Sequence, residues 1–396
     1  MIRVAIYGIL FLSNYIVKTK GMRTMEKWLG ENVQKLGFGL MRLPRLEDGK
    51  EIDLPNVNKM VDAFMEAGFT YFDTAFGYLN GQSEGIAKKA VVDRYPREKF
   101  LLATKLPPWE LNTKEDMPRV FATQLERTGA GYFDFYLIHS VNKSNAEKLD
   151  TLDVWSFMKE KKAQGLARHI GFSYHDDAEM LDDILSKHPE MEFVQLQINY
   201  ADWEDKNIQS RKCYEVARKH GVPVIIMEPV KGGALAVMTD EARAVMQAAK
   251  PEASLASWAM RYCGSIDGIV TILSGMSTPE QMEDNIHIMQ RFEPLTEGDR
   301  ETLCQVKKIL DATPTVPCTD CKYCVEKCPQ DIPIPRVIGT ENRRRIYGYA
   351  DKGNYAFAVN GHGKASDCIQ CGVCEARCPQ HIEIMDLLKE MVEVFE

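Results

Sequence analysis

The sequence predicts an α/β fold of the (β/α)8 TIM-barrel class, followed by a small, mainly α-helical domain. Short apolar runs alternate with longer amphipathic stretches from about residue 33 to residue 291 of the 396-residue chain. Eight of the runs have strand character, and from the second onward they start every 24 to 44 residues, which is the period of a βα unit. Eight such units in about 260 residues match the barrel in count and in length.

The strand candidates are almost continuously apolar, which is typical of a parallel sheet that is covered on both faces. They are Leu36–Met41, Phe69–Asp73, Phe100–Lys105, Phe133–His139, His169–Ser173, Phe193–Asn199, Val222–Glu228 and Ile266–Ser274. The segments between them predict helices, for example over Asn56–Ala67, Thr113–Thr128, Leu152–Gln164 and Pro279–Arg291. Thr113, with Asp116 three residues later, predicts an N-cap and an acidic first turn. A doubly wound open sheet would need a glycine-rich phosphate turn after the first strand, and Gly37-Phe38-Gly39 does not provide one.

The composition is that of an ordinary globular protein, with 45% hydrophobic and 27% charged residues. The formal net charge is -8, which argues against a nucleic-acid-binding protein, because such proteins normally carry a basic face or arm. The one basic cluster, Arg343-Arg344-Arg345, is predicted to be a solvated helix face. We therefore expect no nucleic-acid partner.

The N-terminus carries an ambiguous targeting signal. An apolar run from Val4 to Val17 follows Arg3, but it is too short to span a membrane, and no small-residue cleavage site comes after it. We predict that residues 1–24 are an extension foreign to the native protein, that residues 25–298 form the barrel and that residues 299–396 form the second domain. The protein is expected to be cytoplasmic, without a membrane partner.

Polar residues end several predicted strands, and in a barrel of this class the C-terminal strand ends carry the chemistry. Asp73 ends the second strand and Tyr78 follows in the next loop. Lys105 and His139 end the third and fourth strands. A single such residue is usually a cap, a surface group or a hydrogen-bonded core group. Four of them at successive strand ends predict a catalytic site.

These four residue types form a coherent acid catalyst. A tyrosine phenol has an ordinary pKa of about 10, which makes it a weak acid at neutral pH. A neighbouring ammonium group lowers that pKa, and a carboxylate keeps the ammonium charged and in place. Tyr78 would protonate a carbonyl oxygen as hydride reaches the carbon, while Lys105 and Asp73 tune its pKa. His139 would orient the carbonyl by hydrogen bonding.

Several segments around these strand ends form recognisable motifs: Phe72-Asp73-Thr74-Ala75-Phe76-Gly77-Tyr78 with Gln82-Ser83-Glu84, Ala103-Thr104-Lys105, Asp134-Phe135-Tyr136-Leu137-Ile138-His139 and Ile170-Gly171-Phe172-Ser173. In order and spacing they resemble the signature motifs of the aldo/keto reductase family. The resemblance covers residues 33 to 291 and implies a barrel that reduces carbonyl groups with a nicotinamide cofactor. It also implies that the catalytic residues are Asp73, Tyr78, Lys105 and His139.

The same resemblance implies a set of cofactor contacts on the later strands and loops. Ser173 and Gln195 would hold the nicotinamide amide, and Asn285 can contact the adenine. A glycine-rich turn would lie near the pyrophosphate, where glycine allows close backbone approach. The implied set is Ser173, Gln195, Met227, Lys231, Gly232, Gly233, Gly275, Gln281 and Asn285.

The predicted cofactor pocket departs from the family pattern in several places. Tyr174 stands where the family usually has asparagine, and Met227 stands at the position of the aromatic residue that stacks on the nicotinamide. Gly275, Met276 and Gln281 align with the Lys-Ser pair and the later Arg that hold the 2′-phosphate of NADPH. Without Lys and Arg there is no charge-assisted contact to a phosphate dianion. NADH is therefore at least as plausible as NADPH, and weak nicotinamide binding also fits.

Eleven cysteines, an odd number, argue against a disulfide framework, and eight of them form two runs near the C-terminus. Each run has the pattern C-x2-C-x2-C-x3-C-P, the spacing of bacterial [4Fe–4S] ligation. Because the proline-flanked fourth cysteine of such a run binds the other cluster, we predict crossed ligation. The first cluster takes Cys318, Cys321, Cys324 and Cys378, and the second takes Cys368, Cys371, Cys374 and Cys328.

Zinc is the alternative metal, because four-thiolate zinc sites also use C-x2-C pairs. A zinc site gives no reason for the third and fourth cysteines or for the prolines. The 39 residues between the runs, from Pro329 to Asp367, exceed those of a compact ferredoxin, and Pro335–Ala350 has helical character. We predict an α-helical dicluster ferredoxin-type domain, entered through a helix over Asp299–Ala312 and closed by one over Ile384–Phe395.

Hydride transfer moves two electrons at once, whereas a [4Fe–4S] cluster passes one. The clusters could carry electrons from a ferredoxin or other redox protein to a substrate in the barrel. They could instead work with a flavin, for which the sequence carries no signal, or serve a structural or sensing role. Our leading hypothesis is an oxidoreductase that reduces a small aldehyde or ketone and uses two [4Fe–4S] clusters for electron transfer. The alternative is an electron-transfer or docking protein whose barrel no longer turns over nicotinamide.

Overall fold

The chain divides into two compact units in a computed structural model. The first unit runs up to Pro229 and includes Ser257–Thr296, and the second combines Val230–Ala256 with Glu297–Glu396. The predicted N-terminal extension, Cys321 and Pro379 lie outside the described residues. The structure describes residues 29, 31–46, 51–206, 208–318, 322, 324, 325, 327–378, 380 and 382–396.

Eight parallel strands in the first unit close into a barrel, with each strand paired to the next along the chain and the first paired to the last. The predicted TIM-barrel class is therefore confirmed, and every predicted strand overlaps an observed one. The strands are β1 Leu36–Gly39, β2 Tyr71–Asp73, β3 Leu101–Leu106, β4 Phe133–Val141, β5 Ala167–Tyr174, β6 Phe193–Gln197, β7 Val224–Met227 and β8 Ile269–Ser274.

Helices connect the strands and build most of the second unit. A π-helical turn over Lys88–Val92 extends the second helix. In chain order the α-helices are α1 Leu54–Glu66, α2 Ser83–Ala87, α3 Asp116–Thr128, α4 Ala146–Thr151, α5 Val154–Ala163, α6 Ala178–Lys187, α7 Ser210–Lys219, α8 Ala234–Val237, α9 Asp240–Ala249, α10 Leu255–Gly264, α11 Pro279–Gln290, α12 Glu297–Ala312, α13 Ile334–Tyr347, α14 Lys352–Ala358, α15 Val373–Ala376 and α16 Ile384–Phe395.

The start of α3 differs from the prediction, in which Thr113 is the N-cap. The helix begins at Asp116, and the hydrogen bonds run in the opposite direction. The Asp116 carboxylate accepts the backbone N–H groups of Asn112 and Thr113, at 2.8 and 2.9 Å. Because a carboxylate in the first helical turn can turn back toward the preceding residues, it satisfies donors outside the helix rather than within it.

Aromatic side chains fill the barrel interior. Tyr71, Phe135 and Phe193 are fully buried, with the ring of Phe135 5.0 Å from that of Tyr71 and 5.2 Å from that of Phe193. A side chain at Gly171 would place its Cβ 2.3 Å from the Phe193 carbonyl oxygen, so glycine is what allows β5 to approach β6 here. The barrel interior around these rings is therefore a packed core without room for a substrate. A binding or catalytic site is expected at the C-terminal ends of the strands.

The second unit has its own apolar core, to which α16 contributes Ile384, Leu387 and Leu388 from one face. The mainly helical character predicted for this part of the chain is confirmed. Cysteines of both runs pack against this core. Within the described residues, no helix combines the length and the apolarity that a membrane crossing requires.

The predicted solvated face at Arg343-Arg344-Arg345 is wrong. Arg344 and Arg345 donate to the buried carboxylate of Glu341, each at 2.7 to 2.8 Å, and Arg343 donates to the Lys231 carbonyl oxygen. The three side chains are half-buried. A buried carboxylate needs cationic partners. The run of three arginines does not by itself show that Glu341, one helical turn earlier, is buried.

Candidate active site and cluster ligands

The Lys105 ammonium group lies at the centre of the predicted catalytic site and is fully buried. Its Nζ donates to Asp73 Oδ1 at 2.6 Å, to the Thr74 carbonyl oxygen at 2.8 Å and to the Tyr78 hydroxyl at 3.2 Å. An ammonium group has three donors, and all three are used. The structure therefore brings Asp73, Tyr78 and Lys105 together as predicted, although their catalytic role stays a prediction.

The strand register explains this meeting. Asp73, the last residue of β2, pairs with Ala103 of β3, and Lys105 lies two residues further on, so its side chain points to the same face as that of Ala103. Tyr78 follows in a tight loop in which its N–H donates to the Ala75 carbonyl oxygen at 3.1 Å. Its own carbonyl oxygen accepts the N–H of Ser83, which begins α2. The loop is thus fixed on both sides of the phenol.

A polar network behind the strands fixes the same region. The Glu84 carboxylate is fully buried and accepts from the Thr104 hydroxyl at 2.7 Å and from the Gln124 amide at 2.8 Å. The Gln124 amide also donates to the Lys105 carbonyl oxygen at 3.0 Å. Two residues of β3 are therefore tied to α2 and α3, which limits the freedom of Lys105 to shift along its strand.

Burial and charge act against each other on the pKa values of the ion pair. Removal from water raises the pKa of Asp73, and the charge and hydrogen bond of Lys105 oppose that rise. Removal from water would lower the pKa of Lys105, but Asp73 and Tyr78 raise it above its ordinary value. Lys105 is therefore a cation at neutral pH, which requires Asp73 to be the matching anion.

The pKa of Tyr78 departs from expectation. Burial raises it above its ordinary value, and the neighbouring Lys105 ammonium lowers it by less than burial raises it. The expected net lowering is therefore wrong, because the sequence shows the cation but does not show how far the phenol is removed from water. Lys105 still acts in the predicted direction, since a phenolate forming at this place would meet a positive charge at 3.2 Å.

His139 lies beside the phenol, on β4. The two rings meet edge to face with centroids 5.8 Å apart, and the indole of Trp109 covers the imidazole at 5.0 Å. Burial first, and then the charges of Lys105 and His175, hold the pKa of His139 well below its usual range. Its Nδ1 is buried and has no hydrogen-bond partner among the described residues. His139 is thus a neutral imidazole with hydrogen-bonding capacity to spare.

Ser173 and Gln195 are neighbours across the β5–β6 pair, as a shared amide-binding role requires. The Ser173 hydroxyl oxygen accepts the Ser140 N–H at 2.7 Å, which leaves the hydroxyl proton to donate. The Gln195 Oε1 is buried without a hydrogen-bond partner among the described residues. One donor and one buried acceptor side by side are what a carboxamide requires, so these two residues fit a nicotinamide. Their assignment stays a prediction.

Tyr174 does not replace the missing asparagine. Its phenol turns away from Ser173 and donates to the Asp177 carbonyl oxygen at 2.5 Å. Met227, at the position of the stacking aromatic residue, ends β7 and is half-buried. At these two positions, the first unit therefore lacks the amide and the aromatic ring that the family usually offers to the cofactor.

The predicted adenine-side residues Gln281 and Asn285 make hydrogen bonds to neighbouring residues of the first unit. Gln281 accepts the Ser277 N–H at 2.8 Å through its amide oxygen, and Asn285 donates to the Ser274 hydroxyl at 2.8 Å. Gly275 carries no side chain, and the Arg42 side chain covers it at 3.4 Å from an ideal Cβ position.

Lys231, Gly232 and Gly233 form a 3₁₀ turn that belongs to the second unit. Gly232 and Gly233 have φ values of 66° and 99°, which favour glycine. The Lys231 ammonium lies 5.6 Å from the centre of the Tyr347 ring. The predicted contact of this turn with a pyrophosphate stays a prediction.

The cysteines of the second unit line two separate cavities. Cys328 lines one cavity together with Cys368, Cys371 and Cys374, although it belongs to the other run. Cys378 lines the second cavity with two cysteines of the first run, Cys318 and Cys324. Among the described residues, no three ligand-type side chains converge on one point as they would around a single ion. Thiols spread around a space, with apolar side chains between them, fit iron–sulfur cubes.

Three residues near the candidate site are not predicted from the sequence. Trp109 packs on His139, and Arg42 covers Gly275. His175 follows β5, is open to solvent, and yet has its pKa lowered to about 4 by surrounding protein and by the Lys105 charge. His175 lies two residues after Ser173. Its position in the sequence, just past the predicted end of the strand, is the signal that could have identified it.

Comparisons with known proteins agree with this geometry. A model of the aldo/keto reductase family matches residues 35–308, and a model of a 4Fe-4S dicluster domain matches residues 317–383. An aldo-keto reductase of Mycolicibacterium vanbaalenii is 28% identical over 263 residues, which cover 63% of this chain and 87% of that protein. The NADH-specific methylglyoxal reductase of Escherichia coli is 24% identical over 274 residues, which cover 57% of this chain and 81% of that protein.

Solved structures show the same fold. The holo form of an aldo-keto reductase from Bacillus halodurans has a TM-score of 0.58 at 22% identity, over 73% of this chain and 96% of that chain. An aldo-keto reductase from Klebsiella pneumoniae in complex with NADPH has a TM-score of 0.57 at 18% identity, with the same coverage. The family match spans well over half of the sequence and includes all four residues predicted to be catalytic. The chain therefore belongs to the aldo/keto reductase family, as an oxidoreductase that carries a 4Fe-4S dicluster domain after its barrel.

Proposed function

We propose that this protein reduces a small aldehyde or ketone in its barrel with a nicotinamide cofactor, and that two [4Fe–4S] clusters in its second unit transfer electrons. The single observation that carries the first part is the buried Lys105 ammonium, which bonds to both Asp73 and Tyr78. This arrangement supports a phenol that can give up its proton without leaving an unbalanced charge in the site.

A bound nicotinamide would supply the hydride, and the residues of this chain would supply the proton and the orientation. The Tyr78 hydroxyl donates its proton to the carbonyl oxygen as negative charge develops there. Lys105 stabilises the resulting phenolate, and Asp73 keeps Lys105 protonated. The neutral His139 hydrogen-bonds the same oxygen and holds it near the phenol. Ser173 and Gln195 would bind the nicotinamide amide, which the free Gln195 oxygen supports.

The cluster proposal rests on the two cysteine-lined cavities of the second unit. In each cavity, the fourth cysteine of one run lies with cysteines of the other run: Cys328 in the first cavity and Cys378 in the second. This arrangement supports crossed ligation of two clusters. A nicotinamide hydride carries both electrons of a carbonyl reduction, so electrons from the clusters would be an alternative to that hydride. They would pass one at a time to the substrate itself or be collected in pairs by a flavin. We propose a ferredoxin or similar redox protein as the partner, and a cytoplasmic location, where thiols stay reduced.

A second candidate function is an electron-transfer or docking protein whose barrel no longer turns over nicotinamide. Two observations favour it: the Tyr174 phenol is engaged with the Asp177 carbonyl, and Gly275 offers no side chain to a phosphate. The intact bonds between Lys105, Asp73 and Tyr78 favour the reductase.

Titration with NADH and with NADPH separates the two candidates. Trp109 packs 5.0 Å from His139, so a cofactor entering the site should quench tryptophan fluorescence in a saturable manner. The matched variant Trp109→Phe should bind with similar affinity and lose most of the signal, which assigns the quenching to this site. No saturable binding of either nucleotide would overturn the reductase proposal and leave the docking protein.

The reduction rate should change little between pH 6 and about pH 10, and this profile tests the pKa directions. Reduction needs the protonated phenol, and burial raises the pKa of Tyr78, so the acid form persists until the pH rises above its ordinary value. His139 and His175 stay neutral throughout this range, because their pKa values are lowered, that of His175 to about 4. A rate that falls as the pH drops through 6.5 would show a histidine with an ordinary pKa and contradict the site's electrostatics.

A further inference from the structure

Arg42, in the loop after β1, lies beside Gly275, the position after β8 at which a phosphate-binding lysine is missing. Its side chain runs over Gly275, where an added Cβ would lie 3.4 Å from Arg42 Cδ and 3.5 Å from Arg42 Cβ. The Ser277 hydroxyl donates to the Arg42 carbonyl oxygen at 2.7 Å, which ties the loop after β1 to the loop after β8. The aliphatic part of the Arg42 side chain therefore lies over Gly275, and its guanidinium group extends toward Glu228, just after β7.

Among the described residues, Arg42 has a weakly placed ionic partner. Arg42 Nη2 lies 3.7 Å from Glu228 Oε1, and the two side chains are 38% and 35% exposed. A long, exposed pair of this kind contributes little to stability, so a stronger anion can replace the carboxylate. The backbone of Glu228 is held in position, because its carbonyl oxygen accepts from the Asn199 amide at 3.1 Å.

We propose that Arg42 binds a phosphate of the nicotinamide cofactor and that Glu228 holds the guanidinium until the phosphate takes its place. The inference rests on the proposed function, since it presumes that a nicotinamide cofactor enters the barrel. A guanidinium group donates two parallel hydrogen bonds to a phosphate, which Gly275, Met276 and Gln281 do not provide. The phosphate is either the 2′-phosphate of NADPH or the pyrophosphate that both cofactors share.

The test compares the binding of NADH and NADPH to the full-length protein and to Arg42→Gln by fluorescence titration. Loss of a charge-assisted contact should weaken binding about tenfold to a hundredfold. Weakening of NADPH alone assigns the contact to the 2′-phosphate, and equal weakening of both cofactors assigns it to the pyrophosphate. The affinity of Arg42→Gln should also depend less on salt concentration, which a merely structural role would not change.

Three further variants sharpen the result. Arg42→Lys should recover part of the affinity, because it restores the charge without the planar pair of donors. Glu228→Gln should tighten binding, because it removes the carboxylate that competes with the phosphate. Arg119→Gln, an exposed arginine on α3, is the matched control and should bind like the unmodified protein.

A failure of the proposed role of Arg42 can be distinguished from a failure of the proposed function. Unmodified protein that binds a nucleotide with an affinity that Arg42→Gln leaves unchanged would overturn the role of Arg42 and spare the proposed function. Unmodified protein that binds neither nucleotide would overturn both. Weaker binding by Glu228→Gln would show that the carboxylate contacts the cofactor itself and would overturn the exchange of anions.

Discussion

Tyr78→Phe should lose carbonyl reduction almost completely, while nucleotide binding and iron content stay unchanged. The substitution removes one hydroxyl group, the proposed proton donor, which lies 3.2 Å from Lys105 Nζ. A positioned general acid typically contributes a factor of about 10² to 10⁴, so kcat should fall by that amount. Single-turnover measurements with prebound cofactor give this factor without interference from binding.

The control for this experiment is another tyrosine-to-phenylalanine change. Tyr214, on α7, donates its hydroxyl to the Asp267 carbonyl oxygen at 2.9 Å, away from the four candidate catalytic residues. Tyr214→Phe should keep full activity and cost about 1 kcal/mol of unfolding free energy at most. Turnover retained by Tyr78→Phe would remove Tyr78 as the acid, whatever the control shows.

Substitution of Lys105 is a less informative test of the same site. Lys105 is the ionic partner of a fully buried Asp73, and removal of one member of a buried ion pair typically costs about 3 to 5 kcal/mol. A Lys105 variant would therefore lose activity for two reasons, an altered phenol and a destabilised barrel. Tyr78→Phe separates them, because a phenyl ring keeps the packing and leaves the ion pair intact.

The barrel could be predicted because its parallel strands are buried on both faces and appear as short apolar runs at a βα spacing. The residues at which the strands end were harder to predict. β4 runs past His139 to Val141, with Ser140 at a φ of 56° and a register shift against β5. A local shift in the pairing of two strands leaves no periodic signal in the sequence, since the shift depends on contacts with the neighbouring strand.

Part of the candidate site follows from the barrel alone. Asp73 and Lys105 come together because parallel strands place their C-terminal ends at one edge, so their positions in the sequence predict their meeting. Arg42 and Gly275 are neighbours only because β1 pairs with β8, from Leu36 opposite Ile272 onward. No local pattern connects residues that lie so far apart in the chain. The pKa of Tyr78 was mispredicted for a related reason, because burial is a property of the whole fold.

Cys378→Ala should remove the cluster of the first cysteine run and leave the cluster of its own run in place. Cys378 lines a cavity with Cys318 and Cys324, not with the other cysteines of its run. Anaerobically purified protein should contain about eight iron atoms per chain, and Cys378→Ala should contain about four. Cys304→Ala, a change on α12 outside both runs, is the control and should retain all the iron.

Double variants show which cluster is lost. If ligation is crossed, Cys378→Ala combined with Cys318→Ala affects a single cluster and should keep about four iron atoms, whereas Cys378→Ala combined with Cys368→Ala affects both and should keep almost none. If each run binds its own cluster, the two double variants exchange their iron contents. Crossed ligation would also join the two runs through their metals, because each cluster then holds cysteines from both sides of the 39-residue segment between Pro329 and Asp367. The loss of either cluster should therefore loosen the fold of the second unit around both cavities, which increased hydrogen exchange in α13 and α16 of the single variant would reveal.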